Sequence, residues 1–253
     1  MTHNPTRSTS ELVLGAVAYD AKVVTIWDGF RAWFAQRGFA FDYVLFTNYE
    51  RQVEAHFEGL VDVTWNSPLA WIETQRLAAR KKRQAKAIAM RDTDRDLTSV
   101  LVVQAASAFA KVADLRNKRV GIGAKDSPQA TLIPLMLLVD AGLEPGRDFE
   151  AMEHDVLLGK HGDNIGGERD AARSLLRGEV DAACMLDANH LAFAKDGTFA
   201  PGATRVLAQT KPYDHCCFSV LDGVDERKVA KFQELLLGKS YDDPSVQIGR
   251  AHV

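Results

Sequence analysis

RVGIGAKDSPQATLIPLMLLVDAG, residues 119–142, is the stretch on which the fold class turns. Arg119–Gly123 is a short apolar run suited to a β-strand, and the chain breaks at Ala124–Ser127. From Pro128 onward apolar residues recur at helical spacing. Asp126 or Ser127 can cap that helix, Pro128 suits its first position because proline has no N–H to satisfy, and Gly142 falls where a C′ residue belongs. Pro134 predicts a kink inside it. A helix that starts just beyond a strand presents unpaired N–H groups and the positive end of its dipole at the carboxyl edge of the sheet, where α/β proteins hold ligands. This corner reads as an anion seat. The same device occurs earlier: Leu60–Trp65 reads as a buried strand, Asn66-Ser67-Pro68 as the corner and Leu69–Leu77 as the helix. An ordinary Ser-Pro helix opening is the competing reading of each corner.

Outward from these corners the pattern is α/β. Glu11–Val17, Phe41–Phe46, Leu60–Trp65 and Ala85–Met90 read as strands, with helices at Ala21–Arg37 and Tyr49–Phe57 and after Pro68. Val23, Val24, Ile26, Trp27, Phe30, Trp33 and Phe34 are expected along one apolar helix face as core. This order and the apolar strands predict a parallel sheet covered on both faces. Thr98–Gln104, rich in valine, suits a strand passing into a second lobe. Arg119–Gly123, Phe149–His154 and Val180–Leu186 are its strands, with helices at Pro128–Ala141, near Gly167–Leu176 and near Ala188–Ala194. Thr204–Ala208 and Cys216–Leu221 form the return path and Val224–Leu237 a last helix. The expectation is two Rossmann-like lobes with a ligand cleft between them, joined by two crossover strands: lobe 1 at 11–97 plus 211–247, lobe 2 at 98–210, and a disordered tail at 1–10. Residues 248–253, IGRAHV, read as the translation of a sequencing-library adapter.

The 253 residues are 46% hydrophobic and 26% charged, enough for substantial cores. A net charge of −3 gives no pull toward nucleic acid, which is not expected as a partner. The basic cluster Arg80–Arg83 reads as a solvated helix end. Cys184, Cys216 and Cys217 make no paired framework, and a reduced state is expected. The polar start MTHNPTRSTS has no secretory apolar region, so the chain as written reads as cytoplasmic.

Lys160–Arg169, KHGDNIGGER, combines glycines and polar residues before a helix. That suits backbone held close to a bound group with His161 donating to an oxyanion, or a well-capped surface loop with Asp163 or Asn164 as the cap. Asp187 ends a strand, where it can accept from a ligand or cap the Ala188 helix. Tyr19, after the first strand, is a candidate donor or stacking wall. His154, His161, His190, His215 and Cys216 lack a metal-ligand spacing. Gly121 and Gly123 lack the third glycine of a dinucleotide fingerprint. No metal or cofactor is expected.

The ordered set of markers resembles the phosphate, phosphite and phosphonate substrate-binding proteins of ABC importers, with the type 2 periplasmic-binding fold. The markers are Leu12–Asp20, Val61–Ala70, Asp114–Gly123 with Asp126–Ala130, the His161 loop and Gly178–Ala183, and the resemblance runs from Glu11 to Ser240. It implies a bilobed binder closing by a hinge over a small tetrahedral oxyanion, with no covalent chemistry. Ser127 and the backbone at Gln129–Ala130 would hold the anion, with His161 from the same lobe. Tyr19, Asn66 and Ser67 would close from the other, and Asp187 would line the site. Family members are usually periplasmic, with an ABC permease as partner; a monomer is expected. The alternative is a cytosolic enzyme on the same scaffold using His161 and Asp187, with His190 and Cys216 as further acid–base or nucleophilic candidates.

Overall fold

The computed structural model describes residues 11–18, 21–154 and 166–239. They form two compact units, one from the residues up to Asp92 together with those from Cys216 onward, the other Thr93–His215.

The first unit holds β1 (Leu12–Val17), α1 (Lys22–Ala35), β2 (Phe41–Phe46), α2 (Tyr49–Phe57), β3 (Val63–Asn66), α3 (Pro68–Lys81) and β4 (Ala85–Ala89). Its sheet order is β2-β1-β3-β10-β4, where β10 is Cys217–Leu221. β1 is parallel to β2 and β3, whereas β10 is antiparallel to β3 and to β4. The sheet is therefore mixed, and the expectation of a parallel one is corrected. β4 does run in the direction of β3, but a strand from far along the chain is wedged between them. β1 and β10 are buried throughout, whereas the edge strands β2 and β4 are only partly covered. Apolar runs thus read plainly as strands without revealing their neighbours.

One face of this sheet packs against α1 and α7 (Glu226–Leu237), with Trp27, Phe34, Phe41, Phe218 and Phe232 in one cluster. Val24, expected on the apolar face of α1, is 45% exposed. At 100° per residue it sits at the margin of the stripe centred on Phe30 and Phe34. The other face is covered by α2 and α3 through Tyr49, Val53 and Ala70. Leu60, expected in a buried strand, is 49% exposed, because β3 begins only at Val63.

The second unit repeats the pattern. β5 (Ser99–Gln104), β6 (Arg119–Ile122), β7 (Glu150–Glu153), β8 (Ala182–Leu186) and β9 (Thr204–Gln209) lie in the order β7-β6-β8-β5-β9. β6 is parallel to β7 and β8, and β5 is antiparallel to β8 and β9. Alternation along β5 serves two cores: Val100 and Val102 face Leu175 and Phe193, while Leu101 and Val103 face Leu115 and Leu138. The helices are α4 (Ile133–Asp140), α5 (Gly166–Leu176) and α6 (Asp187–Lys195). Gly142 has φ +78°, the left-handed C′ conformation its position predicts.

Candidate anion-binding site

Past Ile122 the chain turns and restarts at Ser127, whose Oγ accepts from the Ala130 N–H at 3.2 Å. Between Asp126 and Ser127, the serine is the cap. Instead of a kinked α-helix, Pro128–Leu132 is a π-helical turn leading into α4. The Leu132 N–H bonds the Ser127 carbonyl at 2.9 Å, and the Ile133 N–H reaches Pro128 O, both five residues back. The physical cause is Pro134, which has no N–H to give the Ala130 carbonyl one α-turn behind it. That carbonyl accepts instead from the Gly123 N–H at 3.2 Å. The contact needs glycine, since a Cβ on Gly123 would lie 2.7 Å from Ala130 Cβ. The wider turn places the amides of Gln129, Ala130 and Thr131 ahead of the first helical bond. Ser127, Gln129, Ala130 and Thr131 are all buried. Thr131 Oγ1 has no hydrogen-bond partner among the described residues.

The corner is braced by segments remote in sequence. Ser99 Oγ donates to the Gln129 carbonyl at 2.6 Å and lies 2.6 Å from the Tyr213 hydroxyl. His215 Nε2 is 3.2 Å from Gln129 Oε1, while its Nδ1 is 3.5 Å from Asp94 Oδ1. Burial pushes the Tyr213 phenol up, keeping it protonated.

Two carboxylates stand at the same carboxyl edge of the sheet. Asp187, in the first turn of α6, accepts from Ala188 N–H at 2.6 Å and from Thr98 Oγ1 at 2.7 Å. Leu186 is the N-cap of α6 and makes no side-chain cap bond, so Asp187 is the first helical residue rather than the cap. Glu168, in the first turn of α5, is 1% exposed, and its Oε2 accepts from Asn189 Nδ2. Its Oε1 has no partner among the described residues, and desolvation pushes the carboxyl up to about 7. α5 reaches this depth because Gly167 passes close to the chain: a Cβ there would lie 2.3 Å from His154 O.

The first unit carries the matching corner. Ser67 caps α3 by accepting from the Ala70 N–H at 3.3 Å, with Pro68 as the first helical residue. Asn66, also fully buried, donates to Ser219 Oγ at 2.7 Å and accepts from Gln52 Nε2 at 2.8 Å. Ser219 in turn contacts Thr64, which contacts His56. Burial lowers the His56 ring to about 4, so it is neutral at physiological pH.

The structure therefore gathers Ser127, Gln129, Ala130 and Asp187 in the second unit, and Asn66 and Ser67 in the first. Tyr19 and His161 lie outside the described residues. Ser99, Tyr213 and Glu168 were not singled out by sequence, and His215 was weighed only as a metal ligand: of the first three, only Glu168 had a signal, a carboxylate behind two glycines at a helix start. A concavity of about 530 Å³ lined by Asn117, Arg119, Asp148 and Phe149 lies at the amino ends of β6 and β7, away from the Ser127 corner. Among the described residues no helix is long and apolar enough to cross a membrane.

The family model for "ABC transporter, phosphonate, periplasmic substrate-binding protein" matches residues 16–248. The chain belongs to this family. As a phosphonate-type substrate-binding protein it is a binder and not an enzyme, which settles the enzymatic alternative. Its fold is shared with PhnD1 from Prochlorococcus marinus (MIT 9301) in complex with methylphosphonate, at 17% identity and TM-score 0.66, covering 94% of this chain and 88% of that one. XAC2383 from Xanthomonas citri bound to ATP matches at 15% and 0.66, over 95% and 88%. The periplasmic aliphatic sulphonate binding protein SsuA from Escherichia coli matches at 20% and 0.58, over 90% and 67%. The common architecture is two α/β lobes with mixed sheets.

Proposed function

We propose that this substrate-binding protein takes a small phosphonate, a tetrahedral oxyanion carrying a short organic group, at the Ser127 corner. The observation that carries the reading is the buried, π-opened helix start after β6, where three amides precede the helical ladder. Ser127 Oγ already accepts from Ala130, so its own hydrogen is the one to donate to a phosphonate oxygen. Gln129 supplies a backbone donor, the Ala130 N–H acts through Ser127 Oγ, and the Thr131 hydroxyl, which has no partner among the described residues, lies in the same turn. Burial excludes water that would compete for these donors. Ser67 and Asn66 supply the corresponding corner of the first unit, and Tyr19 and His161 complete the set the family resemblance implies. Asp187 acts in this proposal by holding Thr98 and the start of α6. A monomer delivering its ligand to an ABC permease fits a family described as transporter substrate-binding proteins.

Isothermal titration with methylphosphonate, inorganic phosphate, an alkanesulfonate and sulfate tests this. Saturable binding of methylphosphonate is expected, with Ser127→Ala weakening it by about 1–2 kcal/mol. No binding of any of the four by folded protein, or full affinity in Ser127→Ala, refutes the assignment.

A further inference from the structure

The oxyanion seat ends in a serine, and the hydrogen bonds behind that serine run in one direction. A carbonyl only accepts, so the single hydroxyl hydrogen of Ser99 is committed to Gln129 O, 2.6 Å away. The 2.6 Å contact between Ser99 Oγ and the Tyr213 hydroxyl then has one assignment: Tyr213 donates and Ser99 accepts. Gln129 C=O shares a peptide plane with the Ala130 N–H, which donates to Ser127 Oγ at 3.2 Å. Ser127, having accepted, keeps its hydrogen for whatever lies beyond. Every proton in this series points the same way, from Tyr213 toward the seat.

We propose that Tyr213 and Ser99 are positioning residues for anion binding: their hydroxyls polarise the Gln129–Ala130 peptide and so set Ser127 as a donor toward the ligand. The inference rests on the reading of Ser127 as a ligand contact. Hydrogen bonds in series polarise one another, and inside a buried, low-dielectric site that reinforcement is not screened by water. The chain is buried at Ser99 and Ser127, and desolvation keeps Tyr213 protonated and therefore a donor. The charge on a bound oxyanion draws protons toward it along the whole series. Such a chain is poorly suited to a ligand that must itself donate to Ser127. His215 steadies the same residue from its side chain, at 3.2 Å from Gln129 Oε1.

The test is a double-mutant cycle on the full chain, titrating methylphosphonate and inorganic phosphate. Tyr213→Phe removes the first hydroxyl and keeps the ring. It is expected to weaken binding by about three- to tenfold, the worth of one hydrogen bond. In a Ser127→Ala background the same substitution should change affinity by less than about twofold, because the chain then ends nowhere. The Ala130 amide proton, followed by NMR, should also shift upfield in Tyr213→Phe. Wild-type affinity in Tyr213→Phe, or an undiminished loss in the Ser127→Ala background, overturns the proposal. If Tyr213→Phe does not fold, Ser99→Ala cuts the chain one link later and is held to the same two outcomes. Full affinity in Ser127→Ala alone, or no binding of either probe by the wild type, refutes the seat itself and is distinguishable from failure of the relay.

Discussion

Replacing Glu168 by glutamine should change how the stability of this protein depends on pH. Glu168 is 1% exposed, one of its oxygens has no partner among the described residues, and burial moves its ionisation from 4.5 to about 7. The opposing influences, the Asn189 amide and the Leu186 N–H, do not offset the desolvation. The nearby titratable groups, Cys184 and Tyr213, are themselves pushed up and stay neutral, and both feel the Glu168 charge. A carboxyl whose folded pKa is raised favours the folded state fully below the unfolded value and loses that contribution as pH rises toward the folded one. Ionising at about 7 instead of 4.5, at about 1.4 kcal/mol per pH unit, amounts to about 3 kcal/mol. Most of this falls between pH 5 and pH 8.

Glutamine preserves the shape and cannot ionise, so the stability of Glu168→Gln relative to wild type should climb by about that amount over the same range. Urea unfolding of both proteins at pH 5, 6, 7 and 8 reads the difference. His56 does not confuse it. Its pKa is lowered from 6.5 to about 4, so its contribution is present above the unfolded value and is lost as pH falls, identically in both proteins. Parallel stability profiles for wild type and Glu168→Gln between pH 5 and 8 would refute the argument that this carboxyl is held in a desolvated site.

Two further substitutions probe the corner and the core. Gly123→Ala places a Cβ 2.7 Å from Ala130 Cβ, so methylphosphonate affinity measured by titration should fall and Ala130→Gly in the same chain should restore it. Phe232 is 1% exposed and lies 5.4 Å from Phe34 and 5.5 Å from Phe218 between ring centroids. Phe232→Ala should destabilise the first unit by about 3–5 kcal/mol in urea unfolding.

Much of the molecule is legible one residue at a time. Buried central strands show as unbroken apolar runs, Leu12–Val17 in β1 and Val100–Val103 in β5, and the Ser-Pro openings of α3 and the π-turn obey capping rules that involve only three or four neighbours. These local rules, with the order of the markers, determined the two α/β halves and the family to which the chain belongs. They could not show that β10 would enter the first sheet between β3 and β4, because pairing across more than a hundred residues leaves no local trace. Nor could they turn the expected kink at Pro134 into a π-helical turn, which depends on Gly123 offering its N–H to the orphaned Ala130 carbonyl.

The chemistry behind the anion seat divides in the same way. Ser127 was visible from sequence because a cap and its helix are adjacent. Ser99 and Tyr213, which stand behind it, are separated from each other by 114 residues, and an isolated serine at the start of a valine-rich strand looks like any other. Glu168 likewise had to be buried before its carboxyl became unusual, since desolvation is a property of everything packed around a group. Sequence determines what the backbone does over one turn. Only tertiary structure decides which distant hydroxyls and carboxyls are brought out of water together, because removing water takes contributions from the whole fold.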